Sequence, residues 1–169
     1  MKTKTYKTKY KIRKAGVGDV EALYNLGSCV EEFFVSGETG GFWPKKQLVS
    51  WVKDKNGVCL VATIKDRIVG FVLSAYYKPT NKVIIENVYV IKDLRKKGVG
   101  KKIITALINY VVKQYTRIGA VYIMSLTRKG NHGYVNLMKN LEFNIGYKDW
   151  VWIEKELTNE FPKRSKWKE

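Results

Sequence analysis

The spacing of hydrophobic residues over the first fifty positions predicts one short strand and two helices. The strand lies around Tyr10–Arg13. Gly18 and Asp19 then offer a turn and a helix N-cap, and the apolar residues that follow recur at helical spacing: Val20, Leu23 and Leu26. A second helix is predicted over Lys45–Lys53, because the preceding proline suits a helix start and the apolar residues again form one stripe.

The middle of the chain has the β-branched, apolar composition of strands. Two runs, Val58–Ile64 and Arg67–Tyr77, are separated by a short polar turn and predict a hairpin. A third run, Lys82–Val90, follows a proline-containing turn. The three runs therefore predict an antiparallel meander.

After the meander the hydrophobic period becomes that of a helix. Apolar residues recur at three- and four-residue spacing from Gly98 to about Gln114, which predicts a long amphipathic helix closed by Gly119. The remaining chain is predicted to form a short buried strand, a second amphipathic helix and a final strand: Ala120–Leu126, Asn131–Asn140 and Tyr147–Leu157.

Composition favours one folded domain with a large positive charge. The chain has 169 residues, and 45% of them are hydrophobic, which excludes the composition of a disordered protein. We expect a single domain over 10–157, a flexible basic arm over 1–9 and a basic tail over 158–169. The formal net charge of +17 predicts an affinity for anions, which include nucleic acids, membrane surfaces and phosphorylated cofactors.

The cysteines and the apolar segments bear on the cellular compartment. Cys29 and Cys59 lie far apart in apolar surroundings, without metal-ligand spacing or the density of a disulfide scaffold. We expect both to be core thiols, and we expect no bound metal. No stretch approaches the roughly 20 apolar residues of a membrane span. A cytoplasmic protein without membrane contacts is the resulting expectation.

The segment that joins the meander to the long helix carries the clearest chemical signal. It runs Arg95-Lys-Lys-Gly98-Val-Gly100-Lys-Lys. A basic, glycine-bearing loop that opens a helix collects unpaired backbone N–H groups and the positive end of the helix dipole, which together form a phosphate site. Glycine at 98 and 100 would let an anion approach these amides closely. Neither the P-loop pattern nor the dinucleotide fingerprint is present.

This segment and the elements after it resemble the GNAT N-acetyltransferase superfamily. The features that carry the resemblance are, in order, Arg95-x-x-Gly98-x-Gly100 after an apolar strand, a long helix, a short strand, Asn131, and a helix ending in Leu141-Glu-Phe143. The resemblance implies a mixed α/β fold. Its central sheet would be twisted, mostly antiparallel and of six or seven strands, splayed at the cofactor strand and flanked by about four helices.

The resemblance also implies binding of acetyl-CoA. Its pyrophosphate would lie on the amides of residues 96–101, and its pantetheine arm would pair like an added strand beside a β-bulge. Arg95 would hold the loop or a phosphate, and Asn131 would contact the cofactor or serve only as a helix N-cap. The implied cofactor residues are Val88, Tyr89, Val90, Arg95, Lys96, Lys97, Gly98, Val99, Gly100, Lys101 and Asn131.

The reaction of the resembling enzymes is attack of an amine on a thioester, and it calls for a base and an acid. Glu86, the lone acidic residue of an apolar strand, is the candidate base; alternatively it is a surface residue, and water relays the proton. Met138 stands where the family often has a tyrosine acid, and methionine cannot donate a proton. Tyr134, one turn earlier, is the candidate acid or else a core residue. Glu142 replaces a glycine common in the family, which should alter only a turn.

An acidic segment contrasts with the basic remainder of the chain. Residues 15–43 carry five acidic residues and no Lys or Arg, a charge of −5, whereas the rest carries 32 basic and 10 acidic residues, a charge of +22. In the resembling fold this segment walls the acceptor side, so a cationic amine is the implied acceptor. The candidate acceptor residues are Glu31, Glu32, Phe34 and Trp43. The alternative is a solvated helix face and a set of core aromatics.

The expected partners are acetyl-CoA and a primary amine, which can be a small cationic amine, a polyamine or a peptide amine. Two other functions stay open. The basic arm with its interleaved tyrosines would suit a nucleic-acid-binding module, which is not favoured because no nucleic-acid fold motif is present. Met138 raises the alternative of a GNAT-fold protein that binds acetyl-CoA without turnover. A homodimer is compatible with each of these functions.

Overall fold

The computed structural model describes residues 9–33, 41–95, 98–127 and 130–146. The elements in chain order are β1 Lys11–Lys14, α1 Val20–Ser28, α2 Lys45–Lys53, β2 Leu60–Ile64, β3 Arg67–Tyr77, β4 Lys82–Val90, the one-turn helix α3 Lys92–Arg95, α4 Val99–Arg117, β5 Tyr122–Ser125 and α5 His132–Asn140. Among the helices of this described part, none is both long and apolar enough to cross a membrane.

Within the described residues, the five strands form one mixed sheet in the order β1-β2-β3-β4-β5. Pairing is antiparallel from β1 to β4 and parallel between β4 and β5. The parallel pair requires a crossover, and α3 and α4 supply it. The mixed α/β fold is therefore confirmed, and the predicted final strand over 147–157 lies outside the described residues.

Hydrophobic residues fill both faces of the sheet. One core packs α4 and α5 against the sheet and includes the fully buried Leu107 and Val72. The other packs α1 and α2 against the opposite face and includes Leu23, Leu48 and Phe71. Neighbouring residues of β3 point to opposite cores because strand side chains alternate. The candidate site lies where these two layers meet along β4.

A closed hydrogen-bond network anchors α4 to the sheet. The buried Tyr115 hydroxyl accepts from the Val58 backbone N–H at 3.0 Å and lies 3.1 Å from the Ser74 hydroxyl, which donates to the Val58 carbonyl at 2.5 Å. Each buried polar group of the three residues in this set has a partner, so the network stabilises the fold. Because the Val58 N–H is used here, β2 begins at Leu60 and not at the predicted Val58.

Several predicted bounds agree with the structure. The helix over Lys45–Lys53 and the strands over Arg67–Tyr77 and Lys82–Val90 have the predicted limits. The polar turn of the hairpin has φ of +48° and +62° at its two residues, as in the primed turns that suit twisted strands. The long helix continues to Arg117 and is followed by Gly119 at φ +77°. The one-turn helix α3 was not predicted, because four residues are too few to show a period.

Three sequence predictions are wrong. The strand over Ala120–Leu126, predicted to be buried, is the shorter β5, whose residues are exposed or half-buried and whose neighbour Leu126 is 66% exposed. Asp19 does not cap α1 with its side chain; its carboxylate instead accepts from the Arg13 guanidinium at 2.6 and 2.8 Å and from the Gly16 backbone N–H at 2.8 Å. Cys29 is exposed, because it follows the last turn of α1, and its thiol donates to the Asn25 carbonyl at 3.2 Å. Cys59 is buried as predicted, and burial raises the pKa of its thiol to about 11.

Candidate active site at the end of β4

A β-bulge interrupts β4 at Glu86. Asn87 pairs with Leu73 of β3 and Ile85 pairs with Ser74, so Glu86 has no partner across the ladder. Before the bulge Val83 and Ile85 belong to the α4 core, whereas after it Val90 does. The extra residue thus reverses the alternation of the strand. It places Glu86 and Asn87 together on the face that α1 and α2 cover.

The pairing between β4 and β5 ends at the same point. Its register runs from Lys82 to Ile85 on β4 and from Tyr122 to Ser125 on β5. Within the described residues, the edge of β4 from Glu86 onward therefore has no strand beside it. Backbone N–H and C=O groups on such an edge need hydrogen-bond partners, and an extended ligand can supply them.

The first turn of α4 lies directly beyond the end of β4. Gly98 precedes the helix in the left-handed region at φ +70°, and no side chain caps the helix. The first bond of the turn runs from the Lys102 N–H to the Gly98 carbonyl at 3.4 Å, so the N–H groups of Val99, Gly100 and Lys101 have no acceptor within the helix. Lys101 and Lys102 are exposed beside them. The arrangement can bind an anion; Lys96 and Lys97 lie outside the described residues.

The two glycines of this turn have different structural roles. A Cβ on Gly98 would meet nothing within 4 Å, so glycine serves the backbone conformation there. A Cβ on Gly100 would lie 3.0 Å from the Arg95 Cα and 3.2 Å from the Leu94 carbonyl oxygen. Glycine at 100 therefore lets α3 pack closely on α4, a role that the expectation of close anion approach did not include.

Arg95 is directed back at β4. Its Nε donates to the Val90 carbonyl at 2.8 Å, and its guanidinium carbon lies 5.0 Å from the centre of the Tyr89 ring. Of the two roles expected for Arg95, these contacts correspond to holding the loop. The side chain of Tyr89 is buried in the α1 and α2 core, so Tyr89 presents only its backbone to the edge of β4.

Tyr134 lies at the point where β4 and β5 separate. Its hydroxyl is 2.9 Å from the Ser125 hydroxyl, which donates to the Ile85 carbonyl at 3.3 Å. Burial raises the pKa of Tyr134, so the phenol keeps its proton at neutral pH. Met138, in contrast, is 4% exposed and packs in the α4 core.

Asn131 caps α5. Its side-chain oxygen accepts from the Tyr134 backbone N–H at 3.3 Å, and its side-chain nitrogen donates to the Thr127 hydroxyl at 3.0 Å. These contacts give Asn131 the N-cap role that was one of its two expected roles. They also fix the first turn of α5, which carries Tyr134.

Glu86 is a half-buried carboxylate at the bulge of β4. Burial raises its pKa above the ordinary value, and no residue in the described ranges forms a hydrogen bond or an ion pair with it. The neighbouring Asn87 is 8% exposed, and its side-chain oxygen accepts from the Trp43 indole N–H at 2.7 Å. Sequence reasoning missed Asn87, although a second polar residue in an apolar strand was a visible signal.

The acidic segment on the α1 and α2 side is partly neutralised. Asp19 is paired with Arg13 at 2.6 Å, and Glu21 is paired with the ammonium of Lys45 at 2.7 Å. Glu31 is exposed on a short 3-10 turn. The side chain of Glu32 and the whole of Phe34 lie outside what the structure describes. The charge contrast seen in the sequence therefore overstates the free negative charge on this side.

A cavity of about 530 Å³ opens on the same side of the sheet, between α2 and the end of β3. Ala75 in its wall pairs with Ile84, which precedes Glu86 by two positions on β4. The other seven lining residues have side chains that can form hydrogen bonds: Gln47, Ser50, Trp51, Lys53, Asp54, Tyr76 and Tyr77.

The bulged strand, the end of its pairing with β5 and a helix start without a side-chain cap occur in a chain whose family can be assigned. The model of the Acetyltransferase (GNAT) family matches residues 23–143, which is more than two thirds of the chain. The chain belongs to the GNAT acetyltransferase family. It is therefore an acyltransferase, and the matched range of this GNAT enzyme contains the bulge, the start of α4 and Tyr134.

Solved structures show the same fold at low sequence identity. One is the ribosomal-protein-S18-alanine N-acetyltransferase of Escherichia coli, with 16% identity, a TM-score of 0.61, and coverage of 82% of this chain and 80% of that one. Another is yncA of Salmonella typhimurium, solved with its cofactor acetyl-CoA, with 16% identity, a TM-score of 0.65, and coverage of 82% and 81%.

A third similar structure is an aminoglycoside acetyltransferase from an uncultured soil metagenomic sample, in complex with sisomicin. It has 16% identity, a TM-score of 0.62, and coverage of 86% of this chain and 97% of that one. No curated protein sequence matches this GNAT enzyme significantly.

Two glycine substitutions in this GNAT enzyme should have opposite effects on stability. Gly100→Ala brings a Cβ to 3.0 Å from the Arg95 backbone, and we expect it to lower the free energy of unfolding by about 1 kcal/mol. Gly133→Ala, in the first turn of α5, meets nothing within 4 Å and should raise the same quantity by about 0.5 kcal/mol. Urea unfolding monitored by fluorescence measures both. Equal effects of one sign would contradict the close packing of α3 on α4.

Proposed function

We propose that this enzyme transfers the acetyl group of acetyl-CoA to the primary amine of a cationic acceptor, by direct attack in a ternary complex. The observation that carries the proposal is that β4 leaves β5 at Ile85 and is bulged at the next residue, Glu86. A slot for a thioester arm and a candidate base are thereby adjacent.

The groups at the end of β4 fit acetyl-CoA. Three backbone N–H groups at the start of α4, with Lys101 and Lys102 beside them, suit a diphosphate. The unpaired edge over Val88–Val90 suits an amide-containing arm, which would bond to it as an added strand does. The bound cosubstrate would supply an activated acetyl group whose leaving group is a thiolate.

Glu86 is the proposed base. Its carboxylate takes a proton from the ammonium of the acceptor, directly or through one water, so that the amine lone pair becomes available. The nitrogen then forms a bond to the carbonyl carbon, the carbon–sulfur bond breaks, and the nitrogen loses its second proton to water, which leaves a neutral amide. The raised pKa of Glu86 makes it a better proton acceptor than an exposed carboxylate.

Tyr134 is the proposed acid. It lies where β4 and β5 separate, its hydroxyl is 2.9 Å from that of Ser125, and its raised pKa keeps the phenol protonated at neutral pH. It donates that proton to the departing sulfur, and the second proton of the attacking nitrogen, passed through water, restores the phenol. Because a thiol has a pKa of about 8.5, the thiolate leaves readily, and we expect Tyr134 to contribute less to the rate than Glu86.

The acceptor is proposed to enter on the α1 and α2 side, opposite the phosphates. Support comes from the placement of Glu86 and Asn87 on that face, from exposed Glu31, and from the cavity between α2 and the end of β3. An acceptor with a positive charge and several hydrogen-bonding groups fits these surroundings.

Binding of acetyl-CoA should depend on the charge at the start of α4. Acetyl-CoA at 100 times its Kd should stabilise the protein by about 2.7 kcal/mol, visible as a higher Tm. Lys101→Glu should reduce this shift strongly, since it places a carboxylate at the proposed diphosphate site. Lys113→Glu, exposed farther along the same helix, makes the same change in net charge and should leave the shift intact. Equal losses of the thermal shift in both variants would contradict the placement of the diphosphate at the start of α4.

Turnover should depend on the Glu86 carboxylate. Glu86→Gln keeps the shape of the side chain but accepts no proton, so we expect kcat to fall by about 10²–10³-fold with the acetyl-CoA thermal shift unchanged. In the wild type, kcat/KM should fall as the pH is lowered through the raised pKa of Glu86, and the variant should lack this acidic limb.

Release of free CoA thiol with small cationic amines, polyamines and N-terminal peptides provides the assay for Glu86→Gln. The matched control is Glu142→Gln, which neutralises an exposed carboxylate and should keep wild-type kcat. A Glu86→Gln enzyme of full activity would remove Glu86 as the base. A wild type that releases no CoA with any amine would contradict acetyl transfer itself.

A further inference from the structure

We propose that Trp43 is a positioning residue, which holds the β4 bulge in place through Asn87 and so fixes Glu86 for catalysis. The inference rests on the proposed function, in which Glu86 is the base. It assigns to Trp43 a role inside the protein, where the sequence suggested a wall of the acceptor pocket.

The contact that carries the inference is the hydrogen bond from the Trp43 indole to Asn87. The donor and acceptor atoms are 2.7 Å apart, and Asn87 is 8% exposed. Within the described residues, Trp43 is the one side chain that hydrogen bonds to the Asn87 side chain. Loss of the indole N–H would therefore leave a buried amide oxygen without a described partner.

A bulge is the part of a strand whose backbone is restrained least by hydrogen bonds to the neighbouring strand. Glu86 has no partner on β3, and the pairing with β5 has already ended at Ile85. The backbone around Glu86 thus lacks the paired hydrogen bonds that hold a regular strand. A side-chain bond to the adjacent Asn87 supplies a restraint that the sheet does not.

Trp43 is itself well anchored for this purpose. Its ring packs edge to face against Trp51 of α2, with centroids 4.9 Å apart and an interplanar angle of 72°. Pro44 follows it and directly precedes α2 with φ of −57°. The indole is therefore fixed relative to α2, and through Asn87 it transmits that position to β4. Its N–H donates to Asn87 of β4 and is therefore not available to bind the amine substrate.

The test compares Trp43→Phe with the wild type. The variant keeps an aromatic ring but loses the donor, and we expect kcat to fall about 10- to 100-fold because a base displaced by about 1 Å loses that much. The KM for acetyl-CoA should not change, since the diphosphate site at α4 is untouched. Val111→Ala, a buried truncation on α4, serves as the control for lowered stability and should keep wild-type kcat.

A double variant separates positioning from stability. Asn87→Leu in the Trp43→Phe background removes the orphaned amide, so the Tm should recover relative to Trp43→Phe while kcat stays low. Recovery of kcat together with the Tm would overturn the inference, as would a Trp43→Phe enzyme within twofold of wild-type kcat. If the wild type itself shows no turnover, the proposed function fails first, and that outcome is distinguishable from either of these.

Discussion

The candidate site depends on how β4 satisfies its backbone hydrogen bonds. The strand pairs with β3 along its whole length but with β5 over only four residues, Lys82–Ile85. A bulge at Glu86 coincides with the end of the parallel pairing and reverses the side-chain alternation. One constraint on hydrogen bonding thus produces an open strand edge, turns a carboxylate toward the α1 and α2 face, and leaves room for an extended ligand.

The two ends of this slot are built by close packing. At one end the α3 turn lies against the start of α4, and Gly100 permits the approach while Arg95 holds the Val90 carbonyl. At the other end Tyr134 and Ser125 meet at the Ile85 carbonyl. The proposed diphosphate site and the Tyr134 phenol thus lie at opposite ends of one strand edge, which fits the proposed binding of a phosphorylated thioester.

Periodicity predicted the elements that are long or bounded by turns, including α2, β3 and β4 with their limits. It could not place the bulge, because register is a property of two strands and only one strand is visible in a hydrophobic pattern. Local capping rules failed at Asp19, where an arginine from β1 competes for the carboxylate. The bond between Trp43 and Asn87 joins residues 44 positions apart and was likewise invisible. Met138, whose side chain has no proton to donate, lies in the core.

In the proposed function, the unpaired edge of β4 and the first turn of α4 together bind acetyl-CoA. Hydrogen–deuterium exchange with and without saturating acetyl-CoA tests it most directly. We expect slower exchange in peptides covering residues 86–91 and 98–102, with no change in a peptide covering β1. Binding without protection of the β4 peptide, or protection confined to other elements, would contradict the account.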